Sequence, residues 1–370
     1  MIETIAVIGA GNGGKATAAD LALQGKRVRL CDFPEFAASL IGLGDRPRLQ
    51  VKGAIEGVAE LEMATTDLAA AISSDEGADC VMVCTQALAH ERAARELAPL
   101  VGPEQIIVIN PGSTGGSLQF AHVFRECAVA EPPVFVEFST LPYGCRAAGA
   151  EVTVGLKLGK PVLYATLPGT AIARVGPALE EIYPCLVPAE SVLEVGLNNG
   201  NPIIHPAIAL LNASRIEKEG ATMLFYRDGV SPASAGLIRK LDEERMALLR
   251  ALGYRAQPEP HTSKAQGYCG STDYLECYSR GSVFVSLASP SSIDHRYLHE
   301  DCGMGLVMFC SIGRKLEVPT PTCEAVVRFA SAVTGVDYFG RSLRTLEVLG
   351  LGTLGPEELK SYLESGHIAH

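Results

Sequence analysis

Ile5-Ala6-Val7-Ile8-Gly9-Ala10-Gly11-Asn12-Gly13-Gly14 stands almost at the start of the chain. Four apolar residues of strand character run straight into G-x-G-x-x-G, with Gly9, Gly11 and Gly14 in the glycine positions. A small-residue helical pattern from Asn12 to Gln24 follows. The motif alone is weak; a strand before it and a helix after it are the context that gives it meaning. Gly9 permits the tight turn, Gly11 lets the backbone approach a pyrophosphate, and Gly14 lets the helix lie close to the sheet. The helix start, where Asn12 stands first, adds unpaired N–H groups and the positive end of a dipole. Gly9, Gly11, Asn12 and Gly14 are therefore expected to bind a dinucleotide. Arg27-Val28-Arg29-Leu30-Cys31-Asp32 reads as the second strand. Asp32 closes it 18 residues after Gly14, near the ~20-residue spacing of the acid that takes the ribose hydroxyls. A carboxylate there repels a 2′-phosphate, and Phe33-Pro34-Glu35 offers no Arg to hold one. NAD is expected, NADP less so. The competing reading is a structural Gly-rich turn with a surface Asp.

Outward from this motif, short apolar runs alternate with helical patterns. Cys80 to Thr85, Ile106 to Asn110 and Val134 to Phe138 read as strands. A helix from Ala87 to about Leu97 and another through Phe124 lie between them. Continuous Val/Ile-rich strands separated by helices imply a parallel sheet covered on both faces. Glu151 to Lys157 and Pro161 to Thr166, joined by Leu158-Gly159-Lys160, read as a hairpin at the sheet edge. Beyond about Val195 the pattern is helical almost throughout: Leu237, Ile238, Leu241, Leu248, Leu249 and Leu252 return at helical spacing between charged residues. Asn198-Asn199-Gly200-Asn201-Pro202 is a turn signal at the junction. The expected fold is α/β, an N-terminal Rossmann dinucleotide-binding domain over 1–190 followed by a mostly α-helical substrate domain over 191–370.

The chain has 370 residues, 47% hydrophobic and 20% charged, with a net charge of −11. That length suits two domains. No apolar run reaches the ~18–20 residues of a membrane helix, and no basic flank and apolar stretch of signal-peptide length opens it. A cytoplasmic protein without a membrane partner is expected. The acidic balance and the lack of a Lys/Arg-rich run argue against nucleic acid. Eleven cysteines without a C-x-x-C pair point to buried free thiols rather than a zinc or redox motif, and no metal site is expected.

Two stretches of the second half carry candidate chemistry. His205 lies at the domain junction, and Asn212, two helical turns later, can share its face. Packing at a helix start is an equal reading of His205. Asp294-His295-Arg296-Tyr297-Leu298-His299-Glu300-Asp301 borders the apolar run Cys302 to Ile312. By pattern alone it reads as a solvated charged helix start.

The order and spacing of several segments resemble the opine dehydrogenases of the octopine/nopaline type. Beside Gly9 to Gly14 these are Thr85-Gln86-Ala87-Leu88-Ala89-His90, Asn110-Pro111-Gly112-Ser113-Thr114-Gly115-Gly116, Leu141-Pro142-Tyr143-Gly144-Cys145-Arg146, Asn201 to Asn212, Arg296 to Asp301, and Gly340 to Leu346. The resemblance implies condensation of an amino acid with a 2-oxo acid such as pyruvate, and reduction of the imine with NAD(P)H. It implies His205 as the catalytic histidine, Asp301 as its carboxylate partner and Arg296 beside the oxo acid, with Gln86 and Asn212 as further substrate-side residues. These residue types suit that chemistry. Histidine exchanges protons near neutral pH, a carboxylate fixes its tautomer, and arginine grips a carboxylate in two parallel bonds. Two other readings stand beside it. One is a simple 2-oxo acid, ketopantoate or glycerol-phosphate-type dehydrogenase, for which Lys264 is the candidate lysine; the other is a non-catalytic NAD-binding regulator. The helical faces suit either a homodimer or an ordinary core.

Overall fold

The computed structural model describes residues 2–73 and 77–368. The chain forms two compact units. The first takes Met1–Gly112, Gly116–Val192 and Ser361–His370; the second takes Ser113–Gly115 and Leu193–Lys360. The last ten residues thus belong with the first unit, not with the helices of 191–360 that precede them.

The strands are β1 (Thr4–Ile8), β2 (Arg27–Cys31), β3 (Arg48–Gly53), β4 (Gly57–Glu60), β5 (Met63–Thr65), β6 (Cys80–Val83), β7 (Ile106–Ile109), β8 (Val134–Phe138), β9 (Tyr143–Ala148), β10 (Glu151–Lys157), β11 (Val162–Leu167) and β12 (Leu186–Pro188). Eight form one sheet in the order β12-β11-β8-β7-β6-β1-β2-β5. β1, β2, β6, β7 and β8 pair in parallel, and β1, β6, β7 and β8 are buried along their whole length. That is the Rossmann core expected of unbroken Val/Ile runs.

The expected hairpin does not form. β10 pairs with β9 and β3 in a separate four-stranded sheet, β4-β3-β10-β9. β11 joins the main sheet instead, antiparallel to β8 and parallel to β12. The physical reason lies in side-chain alternation. Glu151, Thr153 and Gly155 are exposed while Val152 and Val154 are buried, so β10 suits a sheet wet on one face. β11 is buried or nearly so at every position and belongs in the covered sheet. The main sheet is accordingly mixed at its β8–β11 edge.

Helix α1 (Asn12–Leu23) follows β1, and α2 (His90–Leu97) follows β6 after a 3₁₀ turn over Ala87–Ala89, so the expected helix from Ala87 begins as a tighter coil. α3 (Gly116–Glu126) follows β7. Asp20 of α1, buried, accepts from Tyr143 Oη (2.6 Å) and pairs with Lys157 Nζ (2.8 Å), which ties α1 to β9 and β10.

The second unit is built of helices. Those that bear on the site are α4 (Asn201–Leu211), α5 (Phe225–Gly229), α6 (Pro232–Ala251), α7 (Glu259–Gln266), α8 (Tyr274–Arg280), α9 (Arg296–His299), a π-helical turn over Asp301–Leu306, α10 (Val307–Lys315) and α11 (Pro321–Thr334). Its core holds an ion pair within α6: Arg245 Nε to Asp242 Oδ1 is 2.6 Å, and both side chains are buried. Arg245 also donates to the carbonyls of Leu197 (3.1 Å) and Gln257 (2.6 Å). Asp242 Oδ2 accepts from Tyr274 Oη (2.5 Å) and from the Glu259 N–H (2.8 Å). The paired charges are satisfied on several sides, the condition for tolerating them in a core. Among the described residues no helix is long and apolar enough to cross a membrane.

Candidate functional site

The glycine loop of the first unit explains its own composition. Gly9 has φ +99°, a conformation costly for a side chain. A Cβ on Gly14 would lie 1.6 Å from the Gly9 carbonyl oxygen, so α1 meets the loop only where there is no side chain. A Cβ on Gly11 would meet nothing within 4 Å. That open side, at a helix N-terminus without a side-chain cap, is what a pyrophosphate requires. Asp32 is buried, and its carboxylate accepts from the N–H groups of Ala10 and Phe33 (both 2.9 Å) and from Ser39 Oγ (2.8 Å). The acid is thereby locked at the end of β2, beside the loop. The Asn12 side chain is engaged elsewhere. Its Oδ1 accepts from Ala147 N–H at 2.8 Å, fixing α1 to β9. Gln86 is exposed, at the cap of the turn after β6.

In the second unit the chain brings together residues 96 positions apart. His205 is in the middle of α4 and buried, and its Nδ1 lies 2.7 Å from Asp301 Oδ2. An ionised carboxylate only accepts, so Nδ1 donates, and in the neutral ring Nε2 keeps the lone pair. Nε2 lies 2.9 Å from Tyr226 Oη. Tyr297 stacks on the ring with centroids 4.0 Å apart and planes at 27°, and Phe225 meets its edge at 6.0 Å. Asp301 is 1% exposed, and its Oδ1 is buried with no hydrogen-bond partner among the described residues. Glu300 is 3% exposed. The solvated helix start read from the pattern is therefore wrong: α9 is one turn long and delivers both acids into the interior.

Local backbone explains that delivery. After α9 the coil widens to a π-turn in which the Gly305 N–H donates to the Glu300 carbonyl at 3.1 Å. π-turns are rare and frequent at functional sites. A Cβ on Gly305 would come 2.4 Å from Pro202 Cγ, so this glycine lets the turn carrying Asp301 press against α4, which carries His205. Arg296 is partly exposed; its Nη1 lies 3.4 Å from Glu300 Oε1 and its guanidinium 5.6 Å from the Tyr297 ring centroid. Glu300 Oε1 also accepts from Ser113 Oγ at 3.1 Å. Arg344, of the tail segment, is fully buried and donates to the carbonyls of Ser113 (2.9 Å) and Thr114 (3.2 Å), holding two residues with positive φ. Asn212 ends α4 and gives its Nδ2 to the carbonyls of Ile208 and Gly229, both at 2.9 Å. It thereby pins the end of α5, the helix carrying Tyr226. Lys264 is exposed on α7, which gives the lysine-dependent reading no buried lysine at that position.

Tyr226, Tyr297 and Glu300 carry no individual role in the sequence pattern. Aromatic residues in helical segments read as core, and no local spacing links 226 to 205. Among the described residues no cluster of three or more His, Cys, Asp or Glu is placed to hold a metal. The eleven cysteines are free thiols; Cys127 is exposed, Cys84 half-buried and the others buried.

Comparison with known proteins gives the same picture. Residues 188–334 match the family described as NAD/NADP octopine/nopaline dehydrogenase, alpha-helical domain, and residues 5–129 match ketopantoate reductase PanE/ApbA. An opine dehydrogenase of Arthrobacter sp. (strain 1C) is 34% identical over 98% of this chain and 100% of its own length. A vitopine synthase of Allorhizobium ampelinum is 28% identical over 78% of each chain. The solved structure of octopine dehydrogenase with NADH and L-arginine superposes with a TM-score of 0.78 at 21% identity, covering 100% of this chain and 99% of that one, a likeness of fold. The ketopantoate reductase match covers a dinucleotide-binding segment that unrelated reactions share, whereas the helical match and the full-length relative identify the second unit as well. The chain belongs to the opine dehydrogenase family, NAD(P)-dependent oxidoreductases that act on CH–NH bonds.

Proposed function

We propose that this enzyme joins an L-amino acid to a 2-oxo acid such as pyruvate and reduces the resulting imine, or runs the reverse oxidation, with His205 and Asp301 as its acid–base pair. One observation supports the reading above the others: a buried imidazole held by a buried carboxylate at 2.7 Å, with its second nitrogen directed at a hydroxyl instead of a backbone group. A non-catalytic NAD-binding regulator has no use for such a pair. Bound NADH supplies the hydride. His205 accepts the proton that an ammonium must lose before its nitrogen attacks a carbonyl, and returns one when the carbonyl oxygen leaves as water. Asp301 keeps the proton on Nδ1 and stabilises the imidazolium. Arg296 offers its guanidinium to the oxo-acid carboxylate, for which its 3.4 Å contact with Glu300 is a loose hold. Gln86 and Asn212 serve the substrate side more remotely, Asn212 by pinning α5. Asp32 selects NAD over NADP, because a carboxylate fixed by three donors cannot turn away from a 2′-phosphate.

The test is product identity. Purified enzyme with NADH, pyruvate and one L-amino acid at a time is expected to give a secondary amine whose mass is the sum of the two acids, less one water, plus two hydrogens. Lactate as the sole product would overturn the reading in favour of a simple 2-oxo acid dehydrogenase.

A further inference from the structure

The face of the catalytic candidate that must meet substrate is not bare. Nε2 of His205 lies 2.9 Å from Tyr226 Oη, and both residues are at most 5% exposed. In the neutral ring, with Nδ1–H committed to Asp301, the Tyr226 O–H donates to the Nε2 lone pair. The tyrosine is held from several sides. Its ring stacks on Phe284 with centroids 4.5 Å apart, and Phe284 stacks in turn on Tyr268 at 5.2 Å. Its helix is fixed at the far end by Asn212 Nδ2 and Ser234 Oγ on the Gly229 carbonyl, and at the near end by the Phe225 N–H on the Leu287 carbonyl (2.9 Å). So much restraint on a five-residue helix keeps one hydroxyl on one imidazole nitrogen.

We propose that Tyr226 is the proton relay between His205 and the reacting groups, in a chain running Asp301, His205, Tyr226, substrate. The proposal rests on the condensation reading above. The incoming ammonium loses its proton to the Tyr226 oxygen as the Tyr226 proton passes to Nε2, so the ring becomes an imidazolium and the amine is free. The amine nitrogen then bonds the carbonyl carbon, and its surplus proton moves to the carbonyl oxygen to give a neutral carbinolamine. When the C–O bond breaks, the Tyr226 O–H proton goes to the departing hydroxyl and the Nε2 proton replaces it on the Tyr226 oxygen. One water leaves, an iminium remains, and His205 and Tyr226 return to their starting forms. No electrons are exchanged until the hydride arrives. Burial holds the Tyr226 phenol well above its ordinary pKa, so it stays a hydroxyl able to donate and accept at once. The titratable and charged groups that face this chain are Asp301, His295, Arg296, Tyr297, Tyr268 and Glu259, and none of them stands between Nε2 and the hydroxyl.

Tyr226→Phe removes the hydroxyl and keeps the ring in its stack. The expected result is a fall in kcat of about 10²-fold or more, the scale of general acid–base catalysis, with NADH affinity unchanged. The acidic limb of kcat/KM also moves to higher pH, because the lost bond is one that only the neutral ring accepts. A kcat unchanged at every pH would overturn the relay. So would a fall that scales the whole profile without moving it, which marks a structural residue. Two measurements on the wild-type enzyme need no variant to fold or function. The proton inventory in mixed H₂O and D₂O is expected to be curved, with more than one proton in flight; a straight line contradicts the relay. The ¹⁵N signal of His205 Nε2, read without turnover, is expected to show a hydrogen-bonded lone pair; a free imidazole nitrogen contradicts it. Wild-type enzyme that makes no secondary amine from any pair of substrates would instead sink the condensation reading, whatever the ¹⁵N signal shows.

Discussion

His205→Ala and Asp301→Ala are each expected to lower kcat by about 10²–10⁴, with the NADH dissociation constant from fluorescence titration nearly unchanged, since neither residue lies in the dinucleotide unit. Loss of turnover and binding together would mean a structural role. Arg296→Ala is expected mainly to raise KM for the oxo acid; an unchanged KM would remove the carboxylate clamp. Of the residues behind these expectations, His205, Asp301 and Arg296 take their roles only from resemblance. Physical pattern by itself leaves His205 evenly balanced and assigns Asp301 to solvent. The reason is geometric: a charged residue that begins a helix and one turned inward by a π-turn look alike in sequence, and only Gly305 against Pro202 marks the difference. Tyr226 has no motif to single it out, for the same kind of reason. An aromatic at helical spacing is core until something polar is found at its tip.

At the scale of elements, the glycine loop offers a paired test. Gly11→Ala places its Cβ in open space and is expected to fold normally while weakening NADH binding at least tenfold. Gly14→Ala drives a Cβ into the Gly9 carbonyl and is expected to lower the melting temperature as well, because α1 must move off the sheet. Equal effects of the two changes on melting would contradict the assigned roles. The one-turn helix α9 has its own pH dependence. The Tyr297 N–H donates to His295 Nδ1 at 3.3 Å, a cap that only the neutral ring provides. Burial, with Arg296 and His205 nearby, lowers the His295 pKa to about 4. An unfolded histidine titrates near 6.5, so between about pH 4 and 6.5 the unfolded chain holds more protons and stability rises with pH. His295→Asn supplies a cap that does not titrate and is expected to flatten that rise in urea unfolding followed across the window. β1, α1 and β2 were legible because local pattern and motif agree. β10 and β11 form no hairpin because the contrast between alternating and continuous apolar residues outweighs a short Gly-containing turn.

For the molecule as a whole, the ion pair of Asp242 and Arg245 is a buried charged element of the helical unit. Arg245→Met leaves Asp242 buried without its cation. It is expected to cost ~3–5 kcal/mol, seen as an earlier urea transition for that unit with NADH binding retained. A two-unit α/β chain with a helical second half was readable from the shift in hydrophobic period near Val195. That Ser113–Gly115 joins the second unit and Ser361–His370 the first was not, since contacts between segments hundreds of residues apart leave no period in the sequence. Whether the enzyme couples two substrates through an imine is read from one rate measurement: NADH oxidation with pyruvate alone, with an L-amino acid alone, and with both. Oxidation is expected only when both are present, with a rate that varies from one amino acid to another. Equal oxidation with the oxo acid alone would contradict it.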